Sequence, residues 1–372
     1  MMNRSSVLQI VPRAPGIHDG VGDYALTLAR NMRDRFGRDT IFAAAVVAEA
    51  VCDKSAEMPK EFEAIPLAGS LTRNVEHVIL HYVNYGYQKR GVPFELLSIL
   101  RQLRRDCSGR LLTIFHELYA SGPPWTSAFW LRPLQTRIAR SIAQLSDTCI
   151  VSSETLLAYV KRLTPQVNAR VRPVPSNFGE PALTSDQLTN RSPRRWAICG
   201  GTASVERSLR SLRAIMNRIP DFFSPQELFI IGGKENQAIR SLLLDLPNIR
   251  TEYRPDISPG DASQVLSSCS LAWLDYFHRT DVPTDVILKS SAFAAVCAHG
   301  VIPIFPNRGS IISLERDLLP GPFFVDRNSH QLPAVEDRAK ISADFYNWYV
   351  RHASSAQLAH DVTSALGIAA NA

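Results

Sequence analysis

Short apolar runs alternate with longer amphipathic stretches along almost the whole chain. Apolar runs of a few residues predict strands, and apolar residues spaced three and four apart predict the helices between them. Regular alternation of the two is typical of an α/β protein with parallel sheets. In the first half, the predicted strands are 7–11, 41–47, 77–83, 111–115, 148–151 and 171–175, and the predicted helices are 24–36, 94–105, 130–145 and 154–163.

The second half repeats this alternation. Its predicted strands are 196–199, 228–231, 249–253, 271–275, 301–305 and 323–325, and its predicted helices are 206–219, 236–246, 262–268 and 286–299. A polar stretch at 180–195 predicts a linker, and the tail at 341–366 has helical spacing. We therefore predict three parts, which are an N-terminal domain at 1–185, a C-terminal domain at 186–345, and a final helix at 346–372 that packs back on the N-terminal domain.

Each half begins with a glycine-rich turn between a predicted strand and a predicted helix. Residues 16–24 follow the strand at 7–11, and residues 199–202 follow the strand at 196–198. This arrangement brings backbone N–H groups and a helix N-terminus to a phosphate or another anion. Glycine turns also serve ordinary connections, so the repetition is the stronger signal. It predicts two Rossmann-like, doubly wound domains facing a central cleft.

The chain of 372 residues is long enough for two cores. Its excess of positive charge lies in the first half, because residues 1–185 carry 22 Lys and Arg against 16 Asp and Glu, whereas residues 186–372 carry 19 of each. The excess favours an anionic partner such as a phosphorylated lipid or a membrane surface. A solvated basic face explains it equally well.

The cysteines and the apolar runs bear on localisation. Six cysteines are scattered without short spacing, which favours a reducing compartment. The sequence has neither a secretory signal pattern nor an apolar run long enough to span a bilayer, so we expect a cytoplasmic protein that contacts the inner face of a membrane. The segment at 125–140 combines aromatic residues with arginines, namely Trp125, Phe129, Trp130, Arg132, Arg137 and Arg140. This pattern predicts either an interfacial helix or a partly buried helix.

Four segments in their order along the chain resemble a family-4-like glycosyltransferase of the GT-B fold. They are 20–24, 114–119, 174–177 and 290–304. The resemblance implies an acceptor site in the first domain and a nucleotide-diphosphate-sugar donor site in the second. It also implies a glycan or lipid-linked acceptor in bacterial surface-polysaccharide assembly, retention of anomeric configuration, and no cofactor or metal ion.

The resemblance breaks down at several donor-site positions. Typical members carry two glutamates around the nucleotide-binding helix, and the corresponding positions here fall near Ile287 and Ala295. Thr202 occupies the place of the usual arginine, and Arg207 is the nearest candidate for the usual lysine.

The start of the helix at 286–299 offers a partial replacement. It carries Lys289, Ser290 and Ser291, and a helix N-terminus with a lysine and two hydroxyls can hold a diphosphate. The other candidate donor residues are Gly200, Gly201, Arg207 and Asp275. For Arg207 a plain surface role remains open, and for Asp275 so does an ordinary loop role.

The candidate catalytic residues lie in the first half. His116 and Glu117 end the strand at 111–115, where the resemblance implies contact with the reacting sugar, and a structural histidine is the alternative. Asp19 is a candidate for orienting the acceptor or acting as a base. The glycine loop itself contributes Gly20, Gly22 and Asp23, and for Asp23 we favour a helix N-cap.

Other ligands are not indicated. His77 and His81 are four residues apart in a predicted strand, which separates them by roughly 13 Å, too far to share a metal ion. The basic residues are dispersed among amphipathic helices, so we expect no nucleic-acid partner. The leading hypothesis is a glycosyltransferase. The alternatives are a non-catalytic GT-B-like binding partner of another enzyme and a nucleotide-sugar epimerase, which needs an acid or base pair that the sequence does not identify.

Overall fold

A computed structural model describes residues 6–16, 20–46, 59–72, 75–120, 122–216, 219, 224–246, 248–277, 282–306, 310–321, 323–325 and 332–369. The chain forms two compact units. The first unit contains Met1–Pro173 together with Ser355–Ala372, and the second contains Val174–Ser354.

The first unit is built on a seven-stranded parallel sheet. Its strands lie in the order β3-β2-β1-β4-β5-β6-β7, so the sheet order reverses between β1 and β4. The elements are β1 (Val7–Arg13), α1 (Gly20–Phe36), β2 (Thr40–Val46), β3 (Glu63–Pro66), β4 (His77–Tyr82), α2 (Asn84–Tyr87), α3 (Phe94–Asp106), β5 (Leu111–Phe115), α4 (Ser127–Leu145), β6 (Thr148–Val151), α5 (Glu154–Leu163), β7 (Ala169–Val171) and, from the later part of the chain, α12 (Ser355–Leu366).

The second unit has a six-stranded parallel sheet of the same type. Its order is β10-β9-β8-β11-β12-β15, which reverses between β8 and β11, and β13 and β14 form a separate hairpin. The elements are α6 (Ser185–Thr189), β8 (Arg195–Cys199), α7 (Thr202–Ile215), β9 (Glu227–Ile231), α8 (Gln237–Leu244), β10 (Arg250–Arg254), α9 (Pro259–Ser268), β11 (Leu271–Trp273), α10 (Ser291–Ala298), β12 (Ile302–Phe305), β13 (Ser313–Leu314), β14 (Asp317–Leu318), β15 (Phe323–Phe324) and α11 (Arg338–His352).

The burial of the central strands explains why the strands could be predicted from apolar runs in the sequence. β4 and β5 are buried along their whole length, because helices cover both faces of a parallel sheet, and they therefore appear as unbroken apolar runs. In such open sheets, ligands bind at the carboxyl ends of the strands where the order reverses. The fold thus marks one candidate ligand position in each unit, at β1 and β4 and at β8 and β11.

Two predicted helices are each divided in two. The helix predicted at 286–299 is a 3₁₀ turn at Thr284–Lys289 followed by α10, because extended Ser290 separates them as an N-cap. The tail predicted at 341–366 consists of α11 and α12. Strand β3 was not predicted, since its four residues, Glu-Ala-Ile-Pro, are too short and mixed to stand out.

The unit boundaries also differ from the predicted ones. The chain enters the second unit after Pro173 rather than after residue 185, and it leaves after Ser354 rather than after residue 345. The predicted linker is held inside the second unit by α11, where the Tyr346 hydroxyl receives the Leu183 N–H and donates to the Pro181 carbonyl.

Helix α12 completes the first unit. Its Asp361 forms a buried ion pair with Arg172, and Arg110 donates to the Ala365 carbonyl at 2.7 Å. Ser355, at the start of the helix, accepts a hydrogen bond from the Asn31 amide of α1.

Candidate functional site

The switch point of the first unit gathers two of the predicted site segments. His116 directly follows β5, and its N–H donates to the Tyr82 carbonyl at 3.0 Å. Helix α1 begins at Gly20 and places Tyr24 edge-on against the His116 ring, with centroids 4.9 Å apart. The glycine turn and the strand-end histidine are therefore neighbours in space.

His116 is held by a chain of two buried polar side chains. Its Nε2 lies 3.2 Å from Nδ1 of His81 on β4, and Nε2 of His81 lies 2.7 Å from Oε1 of Gln9 on β1. With the amide oxygen facing it, His81 donates through Nε2, so its Nδ1 accepts the proton that His116 carries on Nε2. This chain fixes the tautomer and the ring orientation of His116.

His81 itself is a neutral group. It is fully buried, and burial together with the nearby His116 holds its pKa well below the usual range. As a neutral group it accepts the His116 N–H through Nδ1 and adds no charge of its own beside that ring.

The other predicted residues of this unit have different positions. Glu117 is exposed, and its N–H lies 3.4 Å from the Tyr82 carbonyl. Asp23 lies in the first turn of α1 but is not its N-cap, because the helix begins three residues earlier, at Gly20. Gly22 is buried in α1, whereas a Cβ added at Gly20 would meet nothing within 4 Å. Asp19 lies outside the described residues.

Two glycine turns meet at the switch point of the second unit. Gly200 has φ 142°, and Gly201 is the N-cap of α7. The second turn follows β9 and contains Gly232 and Gly233, with φ of 87° and 70°. A Cβ at Gly233 would lie 2.7 Å from the backbone nitrogen of Thr202, and the Thr202 hydroxyl receives the Lys234 N–H at 2.8 Å.

The start of α10 lies against the first of these turns. The Ser290 hydroxyl caps the helix by accepting the Phe293 N–H, and the Cys199 thiol approaches the Ala292 carbonyl at 3.7 Å. The built Cβ of Gly200 would contact the Ala292 side chain at the same distance. The N-termini of α7 and α10, with their unpaired amides and partial positive charge, therefore meet beside Gly200.

The three predicted side chains at this helix start are half-buried. Lys289 ends the 3₁₀ turn, Ser290 is the cap and Ser291 is the first residue of α10. They flank the N-terminus of α10, which begins at Ser291 rather than at residue 286 as predicted.

Arg207 and Asp275 are brought together by α7 and β11. The Arg207 Nε donates to the Asp275 carbonyl at 2.9 Å, and the Asp275 N–H donates to the Ser208 hydroxyl at 3.0 Å. Asp275 is buried, so this contact fixes the loop after β11 to α7. Arg207 is therefore more than a surface charge, although part of its donor capacity is taken up by the loop.

The positions that carry glutamate in typical members are closed to acidic side chains. Ile287 and Ala295 are both fully buried. A carboxylate at either place would lose its hydration without a partner, which costs several kcal/mol. Both residues that the resemblance compares with glutamate therefore lie in the buried part of the second unit.

Sequence reasoning missed four residues of these two clusters. Gln9 and His81 are polar residues inside apolar strands, which was the available signal for a buried polar pair. Gly232 and Gly233 are adjacent glycines after a predicted strand, but their contact with the first glycine turn joins segments about 30 positions apart and could not be seen in the sequence.

The exposed surface of the first unit has a distinct face at the start of α4. Trp125 is 83% exposed and Trp130 is 70% exposed, and Phe129 and Leu134 are exposed beside them. Residues 122–146 include three arginines and no acidic residue. All three arginines line an open depression of about 570 Å³. Its lining residues are Tyr119, Arg132, Pro133, Thr136, Arg137 and Arg140.

The described residues contain neither a candidate bilayer-spanning helix nor a candidate metal cluster. No helix there has the length and apolar character needed to cross a bilayer. No cluster of three or more His, Cys, Asp or Glu side chains in this part of the chain could hold a metal ion.

Comparison with known proteins supports the fold. No protein-family model and no curated protein sequence matches the chain. Among solved structures, it is similar to α,α-trehalose 6-phosphate synthase from Burkholderia multivorans, with a TM-score of 0.59 and 10% identity over 98% of this chain and 97% of that one. It is also similar to an α-glucosyltransferase in complex with UDP-glucose and DNA containing an abasic site, with a TM-score of 0.58 and 9% identity over 98% and 99% of the two chains.

A third similar structure is trehalose-6-phosphate from E. coli bound with UDP-2-fluoro glucose, with a TM-score of 0.57 and 9% identity over 99% and 100% of the two chains. At such low identity the likeness shows the fold alone. The chain has the GT-B fold, an α/β architecture with two Rossmann-like units, and the fold prediction is confirmed.

Proposed function

We propose that this protein is a glycosyltransferase that uses a nucleotide-diphosphate sugar, with a UDP-sugar as the first candidate. The observation that carries the proposal is the meeting of the α7 and α10 N-termini at two glycine turns in the second unit. Two of the structurally similar proteins were solved with UDP-glucose or UDP-2-fluoro glucose, which is the basis for choosing uridine.

The chemistry of the site fits a diphosphate leaving group. When the bond between the sugar C1 and the phosphate oxygen breaks, the developing charge on the nucleoside diphosphate is met by helix amides and by Lys289. Gly200, Gly201, Ser290 and Ser291 leave room for close approach of the phosphates. Arg207 supports this site through the loop that carries Asp275.

We further propose that the reaction retains the anomeric configuration. The acceptor oxygen forms the new bond to C1 on the face from which the diphosphate departs, and the acceptor proton moves to a phosphate oxygen of the leaving group. In this proposal His116, whose ring is oriented by His81, contacts the reacting sugar. Glu117 and Asp19 stay candidates for contacts with the acceptor. Analysis of the product anomer by proton NMR distinguishes retention from inversion.

A binding role without catalysis is the second candidate. The observation that favours it is the burial of Ile287 and Ala295, which leaves the usual acidic contacts of the donor without a counterpart. In that case the protein would bind a nucleotide sugar or a glycan as a partner of another glycosyltransferase. Donor binding without hydrolysis or transfer by the purified protein would favour this role.

The first experiment is a thermal-shift panel with UDP-, GDP-, ADP- and dTDP-linked sugars. A ligand that binds the native state raises its apparent stability by mass action, by about 2.7 kcal/mol at a hundredfold excess over Kd. We expect one nucleotide to raise the melting temperature of the wild type and to lose this effect in Lys289→Ala. Lys340→Ala is the matched control, because Lys340 is 83% exposed and pairs with Asp344 one helical turn away. No shift with any donor would refute the donor site.

We propose that the acceptor is a glycan or lipid-linked glycan in bacterial surface-polysaccharide assembly, reached from a membrane surface. The support is the exposed face at 125–140, where apolar side chains can enter the headgroup region while arginines meet anionic lipids. The depression lined by Arg132, Arg137 and Arg140 offers cationic donors for a lipid phosphate.

Co-sedimentation with phosphatidylglycerol vesicles tests this face. We expect the double variant Trp125→Ala/Trp130→Ala to lower the partition coefficient by roughly tenfold or more, since each indole removes a large apolar contact. Leu244→Ala, which removes an equally exposed apolar side chain from the second unit, should leave binding unchanged. Equal binding by the wild type and the double variant would refute the membrane contact.

A further inference from the structure

A fully buried glutamine on α4 faces the loop that follows β5. Gln135 is 0% exposed, and the other buried residues of this helix are Ile138, Ala139, Ile142 and Ala143. A buried side-chain amide loses its hydration, so burial is tolerated at low cost only where its hydrogen-bonding groups have partners. The partners of Gln135 therefore show which parts of the first unit it connects.

Each group of the Gln135 amide is hydrogen-bonded. Its Nε2 donates to the Arg90 carbonyl at 2.9 Å and to the Tyr85 hydroxyl at 3.1 Å. Its Oε1 accepts the Ala120 N–H at 3.0 Å. A backbone carbonyl can only accept and a backbone N–H can only donate, so the amide has a single orientation here. Gln135 thus ties α2, the turn after α2 and the loop after β5 to α4.

The turn after α2 is a firm support for this amide. The Gln88 side-chain oxygen accepts the N–H groups of Arg90 and Val92. The Gln88 carbonyl accepts the Gly91 N–H at 2.7 Å. Gly91 has φ 67°, and a Cβ there would lie 2.8 Å from Nε2 of Gln135. Glycine therefore lets the turn approach the amide closely, which holds Nε2 on one side and leaves Oε1 for the loop on the other.

The loop after β5 is short and is held at both ends. It covers residues 116–120, and the N–H of its first residue donates to the Tyr82 carbonyl at 3.0 Å. Gln135 binds the N–H of its last residue, so exposed Glu117 lies between two anchored positions. Leu118 is buried and holds the loop against the core, but apolar burial has no preferred direction. The hydrogen bond from the loop to Gln135 is directional and so fixes its course.

We propose that Gln135 is a positioning residue of the acceptor site, which sets the loop after β5 so that Glu117 meets the acceptor. This inference rests on the proposed glycosyl transfer and on Glu117 as an acceptor contact. Gln135 is fully buried, so it acts through the loop rather than by touching a substrate. Its loss should therefore impair use of the acceptor and leave donor binding in the second unit unchanged.

Hydrogen–deuterium exchange of the full chain tests the anchoring itself. Gln135→Met removes all three hydrogen bonds at similar volume, whereas Tyr85→Phe removes a bond that does not reach the loop. We expect residues 116–120 to exchange roughly five- to tenfold faster in Gln135→Met and at the wild-type rate in Tyr85→Phe. Gln135→Glu is a second variant, because burial favours a protonated carboxyl group, which still offers one donor and one acceptor. Its loop should exchange more slowly than that of Gln135→Met.

Transfer kinetics test the role in the acceptor site. The donor is the nucleotide sugar that raises the melting temperature, and the probe acceptors are octyl glucoside, octyl galactoside and octyl mannoside, each a sugar on an alkyl chain. We expect Gln135→Met to lower kcat/KM for the acceptor roughly tenfold, mainly through KM, with the donor Kd unchanged. Tyr85→Phe should keep the wild-type KM.

A double-mutant cycle with Glu117→Gln separates positioning from a general loss of structure. If Gln135 acts through Glu117, adding Gln135→Met to Glu117→Gln should change kcat/KM less than about twofold, whereas independent effects multiply. Multiplying effects, an unchanged acceptor KM in Gln135→Met, or equal loop exchange in Gln135→Met and the wild type would each overturn the proposal. A wild type that binds the donor but transfers sugar to none of the probes would refute the proposed transfer, and the acceptor role of Gln135 with it.

Discussion

Replacing Gly233 with alanine perturbs the contact between the two glycine turns of the second unit. The new Cβ would lie 2.7 Å from the backbone nitrogen of Thr202 and 2.8 Å from its Cα. Both are backbone atoms at the start of α7, so no change of side-chain rotamer relieves the clash. Either the second turn or the N-terminus of α7 must move.

The expected destabilisation has two parts. Gly233 has φ 70°, and an L-residue other than glycine loses about 1–2 kcal/mol in that conformation. Overpacking against fixed atoms costs about 1–3 kcal/mol more. The sum of about 2–5 kcal/mol is a large share of the usual stability of a domain. On the proposed donor site, nucleotide binding should be lost as well, because the clash displaces either the N-terminus of α7 or the turn that packs against it.

Urea unfolding followed by tryptophan fluorescence measures the first effect, and calorimetric titration with the nucleotide measures the second. Trp196 and Trp273 are buried in the second unit, with ring centroids 6.4 Å apart, and they report its unfolding. If the two units unfold in separate transitions, each transition is fitted on its own.

Gly201→Ala is the control for this experiment. Its φ is −70°, and a Cβ there would meet nothing within 4 Å. The loss of a favoured N-cap residue and the lower entropy of the unfolded chain nearly cancel, so we expect a change within about 0.5 kcal/mol. If Gly233→Ala unfolds at the same urea concentration as Gly201→Ala and binds nucleotide as tightly as the wild type, the reasoning about the two turns is wrong.

Three other perturbations address other parts of the molecule. His299 is buried with its pKa lowered to about 4, so below pH 6.5 the unfolded state binds more protons, and stability should fall by up to about 1.4 kcal/mol per pH unit down to pH 4. Urea titrations at several pH values should show a smaller slope in His299→Gln. Asp361→Asn removes the buried carboxylate that faces Arg172 and should destabilise the first unit by roughly 3–5 kcal/mol, whereas Asp344→Asn, which breaks an exposed pair, should cost less than about 1 kcal/mol in the same assay. Gln9→Leu removes the hydrogen bond that orients the histidine pair, so in transfer assays kcat should fall roughly tenfold, and calorimetry should show an unchanged donor Kd.

Each of these three has a result that would contradict it. An equal slope of stability against pH in wild type and His299→Gln would mean that other groups cause the acid sensitivity. Equal losses in Asp361→Asn and Asp344→Asn would mean that burial of the ion pair adds nothing. A weaker donor Kd in Gln9→Leu with kcat unchanged would place the buried histidine pair in binding rather than in the orientation of His116.

The fold could be predicted from the sequence because strands buried on both faces are continuous apolar runs. The predictions of β5, β6 and α5 agree with the structure to the residue. The ends of the helices and strands were harder to predict, since they depend on caps and backbone geometry. Ser290 divides a predicted helix by taking an extended conformation, which the spacing of the apolar residues around it does not indicate.

The candidate sites could be predicted only in part. A glycine turn between a strand and a helix is a local feature, so Gly200 and Gly201 were visible. The contact of Gly233 with Thr202 and the chain from Gln9 to His116 depend on which strands become neighbours, and that information is spread over distant segments. Local patterns cannot express such contacts.

The first unit is completed by α12, which is encoded after the whole of the second unit. At an elongation rate of about 5–20 residues per second, the ribosome needs roughly 10–40 s to synthesise Val174–Ser354. During that time Asp361, the ion-pair partner of Arg172, has not yet been synthesised. The surface that α12 will cover is then open to solvent or to a chaperone. The second unit is one continuous stretch with its own sheet, so the part of the protein that begins synthesis later is the part that can finish folding first.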